Sequence, residues 1–430
     1  MLVKGGLIVT QDSKRRVLRG DVFIEDGKIA EIGTVKKKAD ETADASGCIV
    51  MPGLINCHTH VSMALMRSVA DDVQLEQFLD KTFAIDSKRT PEDIGIGATL
   101  GLLEMARSGT TTFVDLYYSE DIISRSVEEV GLRGYLGWAV LDQEFTTQKG
   151  SPISNCEGFI RAHRNRPLIK PLVAPQGVYV CSDETLMAAK ELANREKTFC
   201  HFHLSETRYE VYEYQKKKGK RPVQHLADIG FFSKGDLAAH GVWLTINEVR
   251  ELARAGVSVA HCPTSNMKLA SGGVAPLPEM SENGVNVCLG TDSSSSNNSL
   301  DMFLEMKFAS LLQKASRWDA RVIPAQKALD MATVDAAIAV GAGKELGSIE
   351  PGKKADIVIV DCGTPGMVAT TAENAVANLV YSSPSGSVRD TIVDGRHVLK
   401  NRKIVTMDEG KFLKKASSAA ESLLDRVKKQ

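Results

Sequence analysis

The stretch "IVMPGLINCHTH", Ile49 to His60, begins as an apolar run and ends in two histidines one residue apart. β-Branched and apolar residues over this length, punctuated by Pro52 and Gly53, predict a buried strand. Side chains alternate across a strand, so residues i and i+2 share a face, and His58 and His60 can reach one ion together. Two polar residues at a strand end explain a lone His-x-His more often than a metal does. The weight of the pair therefore depends on what ends the other strands.

Seven more runs of this kind follow: "TTTFVDL" (110–116), "RGYLGWAVL" (133–141), "IKPLVAPQ" (169–176), "TFCHFHLSE" (198–206), "LAAHGVWL" (237–244), "VSVAHCP" (257–263) and "VNVCLGTD" (285–292). Helical patterns separate them. In "TPEDIGIGATLGLLEMARSG" (90–109), Thr90 is the N-cap, Pro91 the first helical residue and Gly109 the stop, and "TINEVRELARAG" (245–256) repeats that grammar. Eight strands with intervening helices over about 240 residues predict an α/β chain built on a (β/α)8 TIM-type barrel.

The flanks read differently, as short strand patterns with Asp-Gly turn signals at Asp26-Gly27 and Asp394-Gly395. Neither flank carries enough apolar surface to stand alone. The expected organisation is a small β-sandwich from both chain ends (1–52 and 345–405), a barrel at 53–344 and a C-terminal helix within 406–430.

With 430 residues, 43% of them apolar, and a net charge of −1, the chain can bury a large core and offers no basic surface for nucleic acid. The run "KKKGKR" (216–221) reads as a solvated helix end. No run of about 18 apolar residues suggests a membrane span, and "MLVKGGLIVTQD" lacks the apolar centre and cleavage site of a signal peptide. A soluble, cytoplasmic chain without nucleic-acid or membrane partners is expected, and a homo-oligomer is compatible with it. Eight scattered cysteines with no Cys-x-x-Cys argue against a zinc ribbon, a redox dithiol or a disulfide scaffold, and predict reduced, buried thiols.

In such a barrel the chemistry sits at the C-terminal ends of the strands. His58 and His60 end the first strand, His203 and Glu206 the fifth, His240 the sixth and Asp292 the eighth. Three imidazoles and a carboxylate suit Zn2+, which takes nitrogen and oxygen ligands and keeps a place for water; iron or manganese suits the set less well. Glu206, three residues past His203, falls in the loop above the mouth, a better place for a proton shuttle than for a fourth ligand. His201 is expected to alternate away from His203 and pack behind the barrel, and His261 to donate a hydrogen bond behind the site. "SSSSNN" (293–298) is expected to form the loop and helix cap after the eighth strand. His163, His225 and His397 receive no catalytic role.

Taken together, "PGLINCHTH", "HFHLSET", "AAHGVWL", "HCPTSNMKLASG" and "LGTDSSSSNNSLDM" resemble the amidohydrolase superfamily, and within it the methylthioadenosine/S-adenosylhomocysteine deaminases and related chlorohydrolase-like enzymes. The likeness covers nearly the whole chain. It implies His58, His60, His203 and Asp292 as ligands of one divalent metal, preferably Zn2+, with Glu206 moving protons, His240 orienting and activating the water, and Asp292 doubling as base. Two-metal members use a carboxylated lysine at the end of strand 4; here that strand ends "PLVAPQG" and Lys170 stands at its start, which favours one metal. The implied reaction is hydrolytic deamination of an aminated heterocycle or adenosine-type nucleoside (5′-methylthioadenosine, 5′-deoxyadenosine, adenosine or S-adenosylhomocysteine), with release of ammonia. Two alternatives stand beside it: a deaminase or chlorohydrolase of a guanine, pterin or triazine, and a non-catalytic barrel scaffold.

Substrate contacts are expected from Asp86, Trp138, Gln176 and Glu206. Asp86, in "FAIDSK", stands where the family carries a Glu that binds ribose hydroxyls, Trp138 near where it carries an Arg, and Gln176 where it reads Pro-His. A pocket so altered is expected to disfavour the charged tail of S-adenosylhomocysteine.

Overall fold

In the computed structural model, which describes residues 1–73 and 75–428, five short strands come first: β1 (Leu2–Val9), β2 (Val17–Glu25), β3 (Lys28–Gly33), β4 (Thr42–Asp44) and β5 (Cys48–Pro52). Eight parallel strands follow: β6 (Leu54–Thr59), β7 (Thr110–Tyr117), β8 (Arg133–Val140), β9 (Ile169–Pro175), β10 (His201–Leu204), β11 (Leu237–His240), β12 (Ser258–His261) and β13 (Val287–Leu289). Four more, β14 (Ile357–Asp361), β15 (Val388–Val393), β16 (Arg396–Lys400) and β17 (Lys403–Ile404), precede the last helix, Glu409–Lys428. The final two residues of the expected segment 406–430 lie outside the described residues.

The central strands form two four-stranded parallel sheets, β6-β7-β8-β9 and β10-β11-β12-β13. The sheets meet on both sides. Thr59 bridges Asp292 and Val173 bridges Cys200, both in parallel, and the Asp292 amide donates to the His58 carbonyl at 2.9 Å. These strands are almost wholly buried, as expected of parallel strands covered by helices. The helix Pro91–Arg107 carries the cap read from the sequence: Thr90 Oγ1 accepts from the Asp93 amide and Asp93 answers at the Thr90 amide. Thr245 and Glu248 do the same for Ile246–Ala255, and Gly256 closes that helix at φ 71°.

Both chain ends meet, as expected, but in one continuous nine-stranded sheet in the order β17-β16-β15-β14-β5-β1-β2-β3, with β4 on β1. The join is β14 antiparallel to β5, Ile357 opposite Pro52 through Asp361 opposite Cys48. Ile8, Val22, Ile24, Val50, Ile357, Ile359 and Ile392 form its own small core. The two Asp-Gly turns are left-handed at all four residues, with φ of 49°, 73°, 46° and 74°, which is the hairpin geometry those residues favour. Arg133 ties this sheet to the parallel strands. It is 1% exposed, and its Nη2 donates to Asp356 Oδ1 (3.2 Å) and Asp394 Oδ1 (2.7 Å).

Seven cysteines are buried, the eighth is half-buried, and all are free thiols. Lys216–Lys218 end the helix Arg208–Lys218 on an exposed face, where cations complement the helix dipole. The serine run departs from expectation. Ser293–Ser296 form a buried loop, and the next helix, Met302–Arg317, is capped by Asp301, whose carboxylate accepts from the Phe303 amide at 2.9 Å. Among the described residues no helix is long and apolar enough to cross a membrane.

Candidate metal and catalytic centre

The ends of β6, β10, β11 and β13 bring their polar residues to one point. His58, His203 and His240 each place a ligand-type atom within 4.8 Å of the others, as do His58, His60 and Asp292, and also Glu206, His240 and Asp292. Reaching this point bends the backbone. Ser205, His240 and Asp292 take left-handed φ values of 48°, 75° and 63°, each at a strand exit. Such conformations cost on the order of 1–3 kcal/mol and persist where the surroundings enforce them, typically at functional sites. Gly290 permits the closest approach, since a Cβ there would lie 2.7 Å from the Cβ of His58.

The hydrogen bonds settle which imidazole nitrogen faces inward. His60 Nδ1 donates to the Leu116 carbonyl (2.6 Å) and His203 Nδ1 to the Gln176 carbonyl (2.7 Å), so each keeps a lone pair on Nε2, and these two atoms lie 3.3 Å apart. For His58 the acceptor is another imidazole, Nε2 of His201 at 2.8 Å, whose own Nδ1 donates to the Leu237 carbonyl at 2.9 Å. A carbonyl only accepts, so His201 must carry its proton on Nδ1 and His58 must do likewise. His58 Nε2 is left buried with no partner. It lies 3.7 Å from Asp292 Oδ1, which His60 Nε2 approaches to 3.4 Å. Burial, then the neighbouring imidazoles, holds His58 and His203 well below the usual histidine range, and burial pushes His201 down to about 3. Neutral imidazoles with inward lone pairs beside a carboxylate are a donor set that fits a divalent cation.

His201 corrects the expectation that it would pack away behind the barrel. Residues 201 and 203 are i and i+2, so the parity that pairs His58 with His60 puts His201 on the face of His203, one layer deeper. His261 makes no hydrogen bond at either ring nitrogen, so the expected donor role has no partner among the described residues.

The remaining groups surround that donor set. Asp292 Oδ2 accepts from Ser265 Oγ (2.6 Å) and Oδ1 from the Ser293 amide (2.7 Å). Asn266 Nδ2 donates to His240 Nδ1 at 3.2 Å, which leaves the ring proton on Nε2, 3.6 Å from Glu206 Oε2. Glu206 is pushed up to about 8 by burial and by Asp292; a cation would pull it back. Two glutamates that motif reading passed over hold the loops. Glu210 accepts from the amides of Ser205 (3.0 Å) and Glu206 (2.8 Å), and Glu305 accepts from Asn297 Nδ2 (2.7 Å) and the Thr264 amide (3.3 Å). Glu210 sits one helical turn past Glu206, a spacing that could have marked it.

A cavity of about 900 Å³ opens over these residues, with His60, His203, Glu206, His240 and Asp292 among its lining. Asp86 and Gln176 line it too. Trp138 does not: the residue of β8 that faces the cavity is Ala139, and the indole turns outward to pack near Phe159 (ring centroids 5.8 Å) and donate to Gln148 Oε1 at 2.7 Å. Trp138 is therefore withdrawn as a substrate contact.

Known proteins share this framework. A 5′-deoxyadenosine deaminase of Methanosarcina mazei is 42% identical over 99% of both chains, and a 5-methylthioadenosine/S-adenosylhomocysteine deaminase of Pyrococcus furiosus is 41% identical over 96% of this chain and 99% of its own. The crystal structure of an adenosine deaminase from Xanthomonas campestris with bound zinc superposes with a TM-score of 0.94 at 31% identity, over 100% of this chain and 98% of that one. The model of the Amidohydrolase family matches residues 49–398, from β5 into β16 and across the whole histidine and carboxylate centre, and on that match the chain belongs to the amidohydrolase family.

Proposed function

We propose that the protein is a cytoplasmic aminohydrolase that deaminates an adenosine-type nucleoside, 5′-deoxyadenosine or 5′-methylthioadenosine first among them, and releases ammonia. The observation that carries this reading is the convergence of three imidazoles with inward lone pairs, Asp292 and Glu206 at the base of one cavity. His58, His60, His203 and Asp292 would hold one divalent cation, Zn2+ by preference. Bound there, the cation supplies Lewis-acid activation of water near neutral pH. Asp292 takes the proton of the attacking water, and His240, with its proton on Nε2, orients that water. Glu206 gives its proton to the ring nitrogen beside the amino-bearing carbon; the proton taken up by Asp292 passes to the amino group, which leaves as ammonia, and the Glu206 carboxylate takes the proton of the new hydroxyl as the ring carbonyl forms. Positioned proton transfer of this kind is worth about 10²–10⁴-fold. Gln176 and Asp86, in the cavity wall, contact the nucleoside, with Asp86 taking a sugar hydroxyl.

The two parallel sheets and their two bridges support a single closed (β/α)8 barrel at 53–344. The nine-stranded sheet from 1–52 and 345–405, with a small core of its own, supports a small β-sandwich, and the helix Glu409–Lys428 supports a helical segment within 406–430. The test is ammonia release from adenosine, 5′-deoxyadenosine and 5′-methylthioadenosine by metal-loaded protein. Release is expected from at least one; none from all three, with release from a guanine, pterin or triazine instead, would replace the reading.

A further inference from the structure

The carboxylate that faces the cavity from the helix Leu75–Asp86 is already largely engaged. Asp86 Oδ1 accepts from the Tyr117 hydroxyl and from Arg89 Nη1 at 3.0 Å, and Oδ2 accepts from the Tyr118 hydroxyl at 2.7 Å. Arg89 and Tyr117 are fixed where they stand, and the ring of Tyr118 is held beside them. The Arg89 side chain is fully buried, and its Nη2 is fixed on the Ser62 carbonyl at 2.6 Å. Arg89 Nη1 also donates to the Tyr117 oxygen at 3.0 Å, which turns the Tyr117 proton toward Asp86. Tyr117 and Tyr118 stack with centroids 4.6 Å apart, so each ring holds the other.

An ionised carboxylate offers about four lone-pair sites. Three are taken within the protein, which leaves one, on Oδ2, for a ligand. A sugar cis-diol presents two hydroxyl donors, and only one of them can gain a charge-assisted hydrogen bond, the stronger kind. The other finds at best a neutral acceptor. From this we infer that the site recognises a single sugar hydroxyl, and that its substrate class extends to adenine nucleosides lacking one of the two. The inference rests on the nucleoside reading above and narrows it, with Asp86, Tyr118 and Arg89 as the residues that set specificity.

The experiment compares kcat/KM for adenosine, 2′-deoxyadenosine, 3′-deoxyadenosine and 2′,3′-dideoxyadenosine on metal-loaded protein. At least one monodeoxy nucleoside is expected within about tenfold of adenosine, and the dideoxy nucleoside about a hundredfold below it, the loss expected when a hydrogen bond to a charged group goes unmade. Tyr118→Phe frees a second lone pair on Oδ2, so the preference for adenosine over the better monodeoxy nucleoside should widen several-fold. Ratios between substrates within one variant cancel any general loss of active protein. Two monodeoxy nucleosides as poor as the dideoxy one, or a ratio unmoved in Tyr118→Phe, would overturn the inference while leaving the deaminase reading intact. Failure of all four nucleosides would overturn the inference, and the deaminase reading with it if 5′-deoxyadenosine and 5′-methylthioadenosine fail as well.

Discussion

Replacing His201 by Leu removes the acceptor on which the His58 Nδ1 proton rests, at 2.8 Å, and keeps a side chain of similar bulk. Neither imidazole is exposed, so water cannot substitute. A buried donor left unpaired costs about 1–3 kcal/mol, and the His58 ring can relieve that cost only by turning, which takes Nε2 away from Asp292, or by changing tautomer, which puts the proton on Nε2 and removes the lone pair a metal would use. At about 1.4 kcal/mol per tenfold, divalent-metal affinity should fall roughly 10–100-fold, the range found when partners that orient metal ligands are removed. The assay is competition for Zn2+ against a chromophoric chelator of known affinity, paired with thermal unfolding of the metal-free protein to report any structural damage separately. His201→Gln, which can accept from His58 and donate toward Leu237, should recover most of the loss. If His201→Leu binds Zn2+ within twofold of the unaltered protein, the imidazole relay does not control the site.

Elemental analysis should find about one divalent metal per chain; two tightly bound metals would refute the single donor set. Glu206→Gln should retain the metal and lose at least about a hundredfold in turnover, about 2.7 kcal/mol of barrier, whereas loss of metal would make Glu206 a ligand. Trp138→Phe should leave the kcat/KM ratios among nucleosides within twofold, because the indole lies outside the cavity; a selective change would put it back in the pocket. Burial pushes Glu206 and Glu305 up to about 8 and Glu210 to about 7, so at neutral pH the folded metal-free protein retains protons that the unfolded chain has released. Stability of the metal-free form should therefore fall as pH rises from about 7.5, where the unfolded histidines have largely lost their protons, to about 8.5. A melting temperature that climbs across that window would contradict these shifts.

Local signals carried most of the architecture. Each of the eight apolar runs contains a parallel strand, and the helix Pro91–Arg107 starts where Thr90 and Pro91 say it should, because caps and periodicity act within one turn of chain. Convergence of His58, His60, His203, His240 and Asp292 followed from their shared position at strand ends. Facing was harder. Gly137, Trp138 and Ala139 are small or apolar on both sides of a buried strand, so nothing in their order says which points inward. His201 was misplaced although its i, i+2 relation to His203 was in plain view. Asp86 was legible as a cavity carboxylate, but its partners Tyr117 and Tyr118 come from 31 and 32 residues away, and only the packed structure brings them onto it.

The pairing of β5 with β14 has a consequence for biosynthesis. Strands β1 to β5 can pair among themselves early, but the outer edge of β5 waits for Ile357–Asp361, roughly 300 residues later in the chain. At about 5–20 residues per second, a ribosome leaves that edge open for some 15–60 seconds. During that interval Cys48–Pro52, apolar and strand-forming, is a template for any other nascent chain. Slow translation or truncation before residue 357 should therefore send the polypeptide toward chaperones and aggregates even after every residue of the histidine cluster, His58 to Asp292, has been made.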